Sequence, residues 1–184
     1  MSIIEFKRLL KEDFYCYCES YSVINLIKIY FKVPGFKFCL WYRLCNYLGK
    51  KKSLYPIYIL AFGFFKNISY KFGMDISIHA QIGGGLRIWH FSGIIINSKA
   101  KIGRNFSIRP GVVIGNNKGG APNIGNNVKV GAGAIIIGSI KIGNNVEIGA
   151  NATVVKDVPD NAVVIGNAAS VYRIKEKCWE NDND

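Results

Sequence analysis

Few side chains in this 184-residue chain can act as acids, bases or nucleophiles, and histidine is the scarcest, at His79 and His90. One imidazole paired with a carboxylate can still take the proton from a hydroxyl: the acid on the second ring nitrogen fixes the tautomer and stabilises the imidazolium that forms. Transfer of an acyl group from a thioester to an alcohol needs little more. Other chemistries lack their parts. There is no G-x-S-x-G elbow for serine hydrolysis, and no Walker A or dinucleotide fingerprint between a strand and a helix. Zinc hydration would need about three histidine ligands per site, so no metal is expected. The cysteines, Cys16, Cys18, Cys39, Cys45 and Cys178, form no C-x-x-C, and they read as reduced, mostly buried thiols.

What must position such groups is a repeat. Ile or Val recurs every six residues in three series: Ile76, Ile82, Ile88; then Ile96, Ile102, Ile108, Ile114; then Ile124, Val130, Ile136, Ile142, Ile148, Val154. Glycine often follows directly, as at Gly83, Gly103, Gly115, Gly125, Gly131, Gly143 and Gly149, and a small or apolar residue lies four places on. The spacing predicts a parallel β-helix of triangular section. Each hexapeptide gives a short strand and a corner, and the aliphatic residue points inward onto its equivalent about 4.8 Å away. The Gly or Asn after it is expected to take the backbone angles of the corner, and the pairs Asn116-Asn117, Asn126-Asn127 and Asn144-Asn145 belong there.

Two departures from the period are loops, where a rigid scaffold carries its function. Ile88 to Ile96 is two residues too long and contains Trp89-His90-Phe91-Ser92-Gly93. Ile114 to Ile124 is four too long and contains Asn116 to Pro122. His90 thus breaks the repeat, whereas His79 sits inside a regular hexapeptide and reads as a corner residue.

The chain divides near Gly73. Residues 1–74 hold 19 of the 24 aromatic residues and carry a net charge of +8, whereas 75–184 hold 16 of the 20 glycines and carry +4. The first part reads as four helices. Ser2-Ile3-Ile4-Glu5 fits a capping box, Ser22 caps a helix running to about Lys32, Pro34 and Gly49 bracket a third, and Pro56 and Gly73 a fourth. The expected organisation is a helical, basic and aromatic segment over 1–74, a β-helix over 75–166 and a tail over 167–184, in which Val171 to Ile174 packs back along the coil. The longest apolar run, Leu54 to Phe65, is shorter than the roughly 20 residues that span a bilayer, and no signal-peptide pattern appears, so an intracellular protein is expected. Basic residues among Tyr, Phe and Trp suit peripheral contact with an anionic inner membrane. No nucleic-acid motif accompanies the charge, and no nucleic-acid partner is expected.

The segment from Met74 through Asp75 and His79 to Trp89-His90 resembles the start of the β-helix in serine O-acetyltransferases and in capsule and exopolysaccharide O-acetyltransferases. Gly131-Ala132-Gly133-Ala134 and the stretch from Lys156-Asp157-Val158-Pro159 to Gly166-Asn167 match the later part of the same pattern, which covers about residues 70–172. The resemblance implies a mainly β fold: a left-handed parallel β-helix of hexapeptide repeats behind an N-terminal α-helical segment, assembled as a homotrimer. It implies acetyl-CoA as cosubstrate, His90 as catalytic base and Asp75 as its orienting carboxylate. It places acetyl-CoA along Ala132 and Ala150, with Gly115 and Asn116 opening the loop that encloses it.

Departures from the family pattern bear on the acceptor. The Arg-His pair that takes a serine carboxylate in serine acetyltransferases is Gly120-Ala121 here, and the aspartate before the catalytic histidine is Trp89. Loss of a carboxylate clamp and gain of an indole favour a carbohydrate hydroxyl, in capsule, exopolysaccharide or O-antigen synthesis. Serine O-acetyltransferase and a non-catalytic β-helix scaffold are the alternatives.

Overall fold

The computed structural model describes residues 1–166; the tail and the expected packing of Val171 to Ile174 lie outside the described residues. Four helices come first: α1 (Ile3–Tyr15), α2 (Val23–Lys32), α3 (Pro34–Leu48) and, after a 3₁₀ turn, α4 (Tyr55–Lys71). Their boundaries follow from local chemistry. The hydroxyls of Ser2 and Ser22 accept from the amides of Glu5 and Asn25, and Pro34 opens α3.

Fourteen short strands follow and wind into three parallel sheets, each the side of a prism. The first side holds β1 (Met74–Ile76), β4 (Ile94–Ile96), β7 (Val113–Gly115), β10 (Ile135–Ile137) and β13 (Thr153–Val154). The second holds β2 (Gln81–Ile82), β5 (Lys101–Ile102), β8 (Asn123–Ile124) and β11 (Lys141–Ile142). The third holds β3 (Arg87–Ile88), β6 (Ser107–Ile108), β9 (Lys129–Val130), β12 (Glu147–Ile148) and β14 (Val163–Val164). Strands β1 to β10 each pair with the third one after them, as one coil per three hexapeptides requires, and in the last coil β12 pairs with β14. The thirteen periodic Ile and Val residues are all buried and fill the prism.

The corners correct one expectation. The glycine directly after the aliphatic residue does not take the left-handed conformation. That falls two places later, at Gly85, Asn105, Gly111, Asn127, Gly133, Asn145, Asn151 and Asn161, all with positive φ. The earlier glycine answers a crowding problem: a Cβ at Gly83 or Gly103 would lie 2.6 Å from the carbonyl oxygen of the corner glycine in the next coil. Stacked corners approach too closely there for any side chain.

A β-helix ends in an open strand edge, which must be covered. Here α1 and α3 cover the first coil with side chains in place of a missing coil. Arg43 donates to the carbonyls of Ile82 and Gly83 (2.6 Å each), Tyr42 to Ala80 (2.5 Å), and Asp13 accepts from the amides of Gly85 (2.9 Å) and Leu86 (2.8 Å). Tyr17 accepts from the amide of Ile88 at 2.7 Å. Arg43 and Asp13 are bonded to each other twice, at 2.8 and 3.1 Å, and both are buried. Burial pushes the Asp13 carboxyl up against the pull of Arg43, while the same pairing overcomes burial to hold Arg43 above its ordinary value.

Candidate active site

The turn from β3 into β4 carries Trp89 and His90. His90 has φ 59° and Ser92 φ 107°; among the described residues the five other non-glycine residues with positive φ are asparagines at regular corners. A histidine held in this conformation marks a position where the backbone serves something besides turning. The loop is anchored by the Gly93 amide on the Gly73 carbonyl (2.7 Å), the Gly111 amide on Ser92 (3.0 Å) and the Phe91 ring on Phe72.

His90 stands two places after Ile88. It lies in the two-residue insertion, and Ser92 is the residue over Pro110: Ile95 pairs with Val113, and the Gly111 amide donates to the Ser92 carbonyl, with Ala132 and Ala150 continuing the column on later coils. They stack, because the amides of Gly133 and Asn151 donate to the carbonyls of Pro110 and Ala132. Below Ser92, next to the insertion that carries the histidine, the edge between third and first sides is therefore a narrow shelf of proline and two exposed alanines. It offers room for an extended, slender ligand arm.

Asp75 lies in the middle of β1, facing outward and exposed, directly opposite Ile95 on β4, the strand that the His90 turn enters. The two residues thus flank the same edge on adjoining coils, with no hydrogen bond between their side chains. From Asp75 a column descends the outer surface of the first side through Ile95, Val113, Ile135 and Thr153, all in register. The corresponding column on the second side is Gln81, Lys101, Asn123, Lys141. On the third it is Arg87, Ser107, Lys129, Glu147, Val163. The first side alone presents a run of aliphatic side chains outward.

Gly115 and Asn116 lie elsewhere, across the first side, where β7 leaves for β8. There Asn117 and Gly120 exchange backbone hydrogen bonds, and Asn116 accepts from the Asn97 amide nitrogen at 2.9 Å. Within one chain these two are a prism side away from His90, Ala132 and Ala150. The indole of Trp89 is half-exposed; its N–H donates to Ser107 at 3.0 Å, and the Arg87 guanidinium covers its ring at 3.7 Å from the centroid. Among the described residues no cluster of His, Cys, Asp and Glu has metal-site geometry, and no helix is long and apolar enough to cross a membrane.

The capping role of Asp13 and Arg43 was not visible in the sequence. They lie thirty residues apart on helices whose periodicity marks only their own apolar faces.

Comparison with known proteins adds a consistent set of likenesses. The model for the bacterial transferase hexapeptide (six repeats) matches residues 121–156. Serine acetyltransferase 1, chloroplastic, of Arabidopsis thaliana is 36% identical over 165 residues, covering 88% of this chain and 51% of that protein. The putative colanic acid biosynthesis acetyltransferase WcaB of Escherichia coli is 45% identical over 107 residues, 56% of this chain and 66% of that protein. The chain thus spans about half to two thirds of the length of these curated relatives. The solved serine acetyltransferase of Neisseria gonorrhoeae in complex with serine superimposes with a TM-score of 0.71 at 31% identity, over 91% of this chain and 69% of that one. The coil is the left-handed parallel β-helix of hexapeptide repeats with helices before it, and the chain belongs to the hexapeptide-repeat transferase family.

Proposed function

We propose that this chain is an acetyl-CoA-dependent O-acetyltransferase whose acceptor is a carbohydrate hydroxyl. The observation that carries the reading is the placement of His90: the one histidine in a break of the repeat, in a left-handed conformation, in the insertion beside the column of Ser92, Pro110, Ala132 and Ala150. The pantetheine arm lies along that shelf, where larger side chains would obstruct it. The His90 imidazole takes the hydroxyl proton as the oxygen bonds to the thioester carbonyl carbon. The C–S bond then breaks, and the imidazolium returns its proton to the departing CoA thiolate. Asp75 orients the imidazole and stabilises its cationic form.

The aliphatic column on the first side supports a homotrimer built on that side, since a contiguous exposed apolar strip calls for burial. Packing it against a neighbour sets the His90 edge of one subunit beside the Gly115–Asn116 loop of the next, and the two separated halves of the site then meet. Gly120 and Ala121 leave no charged clamp for an amino acid carboxylate, and the uncovered face of Trp89 is a platform for a sugar ring.

The likeness to serine acetyltransferases supports a second reading, with L-serine as acceptor. A CoA-release assay offering L-serine, free sugars and oligosaccharides separates the two. The proposal expects release with a carbohydrate and none with serine. Serine-dependent release would establish the second reading, and release unchanged in His90→Ala would remove both.

A further inference from the structure

Residues 21–74 contain no Asp or Glu and nine Lys or Arg. Arg43 is engaged internally with Asp13, which leaves eight lysines and no carboxylate over residues 21–74, the segment that holds α2, α3 and α4. Helix α2 buries none of its residues. Val23, Ile24, Ile27 and Phe31, spaced to share one face, are exposed by 51–74%. On α4, Ile57, Leu60 and Phe64 form a second exposed face. Trp41 of α3 joins the two: its indole N–H donates to Tyr30 at 3.1 Å, and its ring stacks on Phe64 with centroids 5.1 Å apart.

The lysines are threaded through this surface. The Lys37 ammonium lies over the rings of Tyr30 and Phe31, and that of Lys66 over Phe62 and Tyr70, while Lys28 and Lys32 are exposed on α2. Ammonium groups set among aromatic rings beside exposed apolar side chains are the composition that an interfacial helix uses. A second copy is a poor occupant: two-fold contact of this face with itself sets lysines against lysines with no carboxylate to separate them. A bilayer surface rich in anionic headgroups suits both components, taking the apolar side chains into its acyl boundary and the ammonium groups among its phosphates.

We propose that the face formed by α2, Trp41 and α4 seats this protein peripherally on anionic lipid bilayers. The inference stands on the surface itself and is independent of the acetyl-transfer reading. The test is co-sedimentation of the full chain with phosphatidylcholine vesicles, pure or containing about one third phosphatidylglycerol. Binding is expected only to the anionic vesicles and is lost at roughly 0.5 M salt, where the screening length is a few ångströms. Lys28→Glu with Lys32→Glu weakens it at least about twentyfold, since each lysine near the surface contributes roughly a factor of five. Phe31→Ser with Leu60→Ser, both exposed positions, weakens it while the helical circular dichroism is retained. Equal binding to both vesicle types, or wild-type binding by both double variants, overturns the proposal. So does a smaller assembly of the Phe31→Ser/Leu60→Ser variant in sedimentation velocity, because the face would then be a contact between copies. CoA release with a soluble acceptor, measured on the same variants, keeps a failure of lipid binding distinct from a failure of catalysis.

Discussion

Two edges of the same prism obey the same six-residue period and end in opposite states. Along the edge between second and third sides, the Asn105, Asn127 and Asn145 side chains each donate to the next, ending on Asn161, with spacings of 2.9 to 3.0 Å. A second column runs beside it: the side-chain oxygens of Asn126, Asn144 and Asp160 each accept the backbone amide of the coil before. At its head stand Asp13 and Arg43. Each of these two columns is tied from coil to coil by its own side chains. The edge between third and first sides has Ser92, Pro110, Ala132 and Ala150 in the equivalent column, with His90 in the insertion beside its head, and no side-chain ladder at all. A solenoid that saturates one edge for stability can leave another bare for chemistry, and the difference lies in side chains at corners that the backbone treats alike.

That contrast can be broken from either end. The largest effect belongs to the bare edge: His90→Ala should lower kcat for CoA release by about 10²–10⁴-fold with the melting temperature unchanged. Asp75→Asn should lower it less, and a melting shift comparable to the activity loss in either variant would assign these residues to folding instead. On the saturated edge the sign reverses. Arg43→Met leaves Asp13 buried without its cation and should cost about 3–5 kcal/mol in urea unfolding, with KM for acetyl-CoA unmoved in the protein that remains folded. Next come two substitutions meant as a pair. Ala132→Leu should raise KM for acetyl-CoA about tenfold or more without loss of stability, and Asn127→Ala should cost about 1–2 kcal/mol without change in KM. If the two exchange phenotypes, the edges have been assigned the wrong way round.

The smallest effect is alkaline. Burial holds the Cys39 thiol and the Tyr17 hydroxyl well above their ordinary values and pushes Tyr42 and Cys45 up to about 12. The unfolded chain ionises these groups near 9 to 10, whereas the folded one resists. Their contribution to stability is therefore complete below about pH 9 and is lost as pH rises towards 12. All four lie in the helical layer, and residues 75–166 contain neither Cys nor Tyr. Helical circular dichroism should lose its thermal midpoint progressively between pH 9 and 11, and a midpoint constant over that range would contradict the burial of these groups.

The β-helix was legible because burial in a solenoid is periodic: an inward position returns every sixth residue, and Ile or Val occupies all thirteen. His90 was legible because a loop that lengthens the period by two residues is a visible exception. The corner chemistry was legible only in part. Gly and Asn mark corners, but spacing alone does not tell a glycine needed for close approach, such as Gly103, from a residue that bears positive φ, such as Asn105. The asparagine ladder needs the coil register, which places residue 105 over 127. Asp13 and Arg43 left no pattern at all. A pair that replaces one missing coil occurs once, and a single occurrence has no period.

The central claim, that the His90 edge takes the cosubstrate, is tested most directly by a crystal structure of the assembly with CoA bound. The sulfur is expected within reach of the His90 imidazole and the pantetheine chain against Ala132 and Ala150, with the Gly115–Asn116 loop of a neighbouring subunit closing over it. CoA lying on the second side, or along the asparagine edge, would contradict the account.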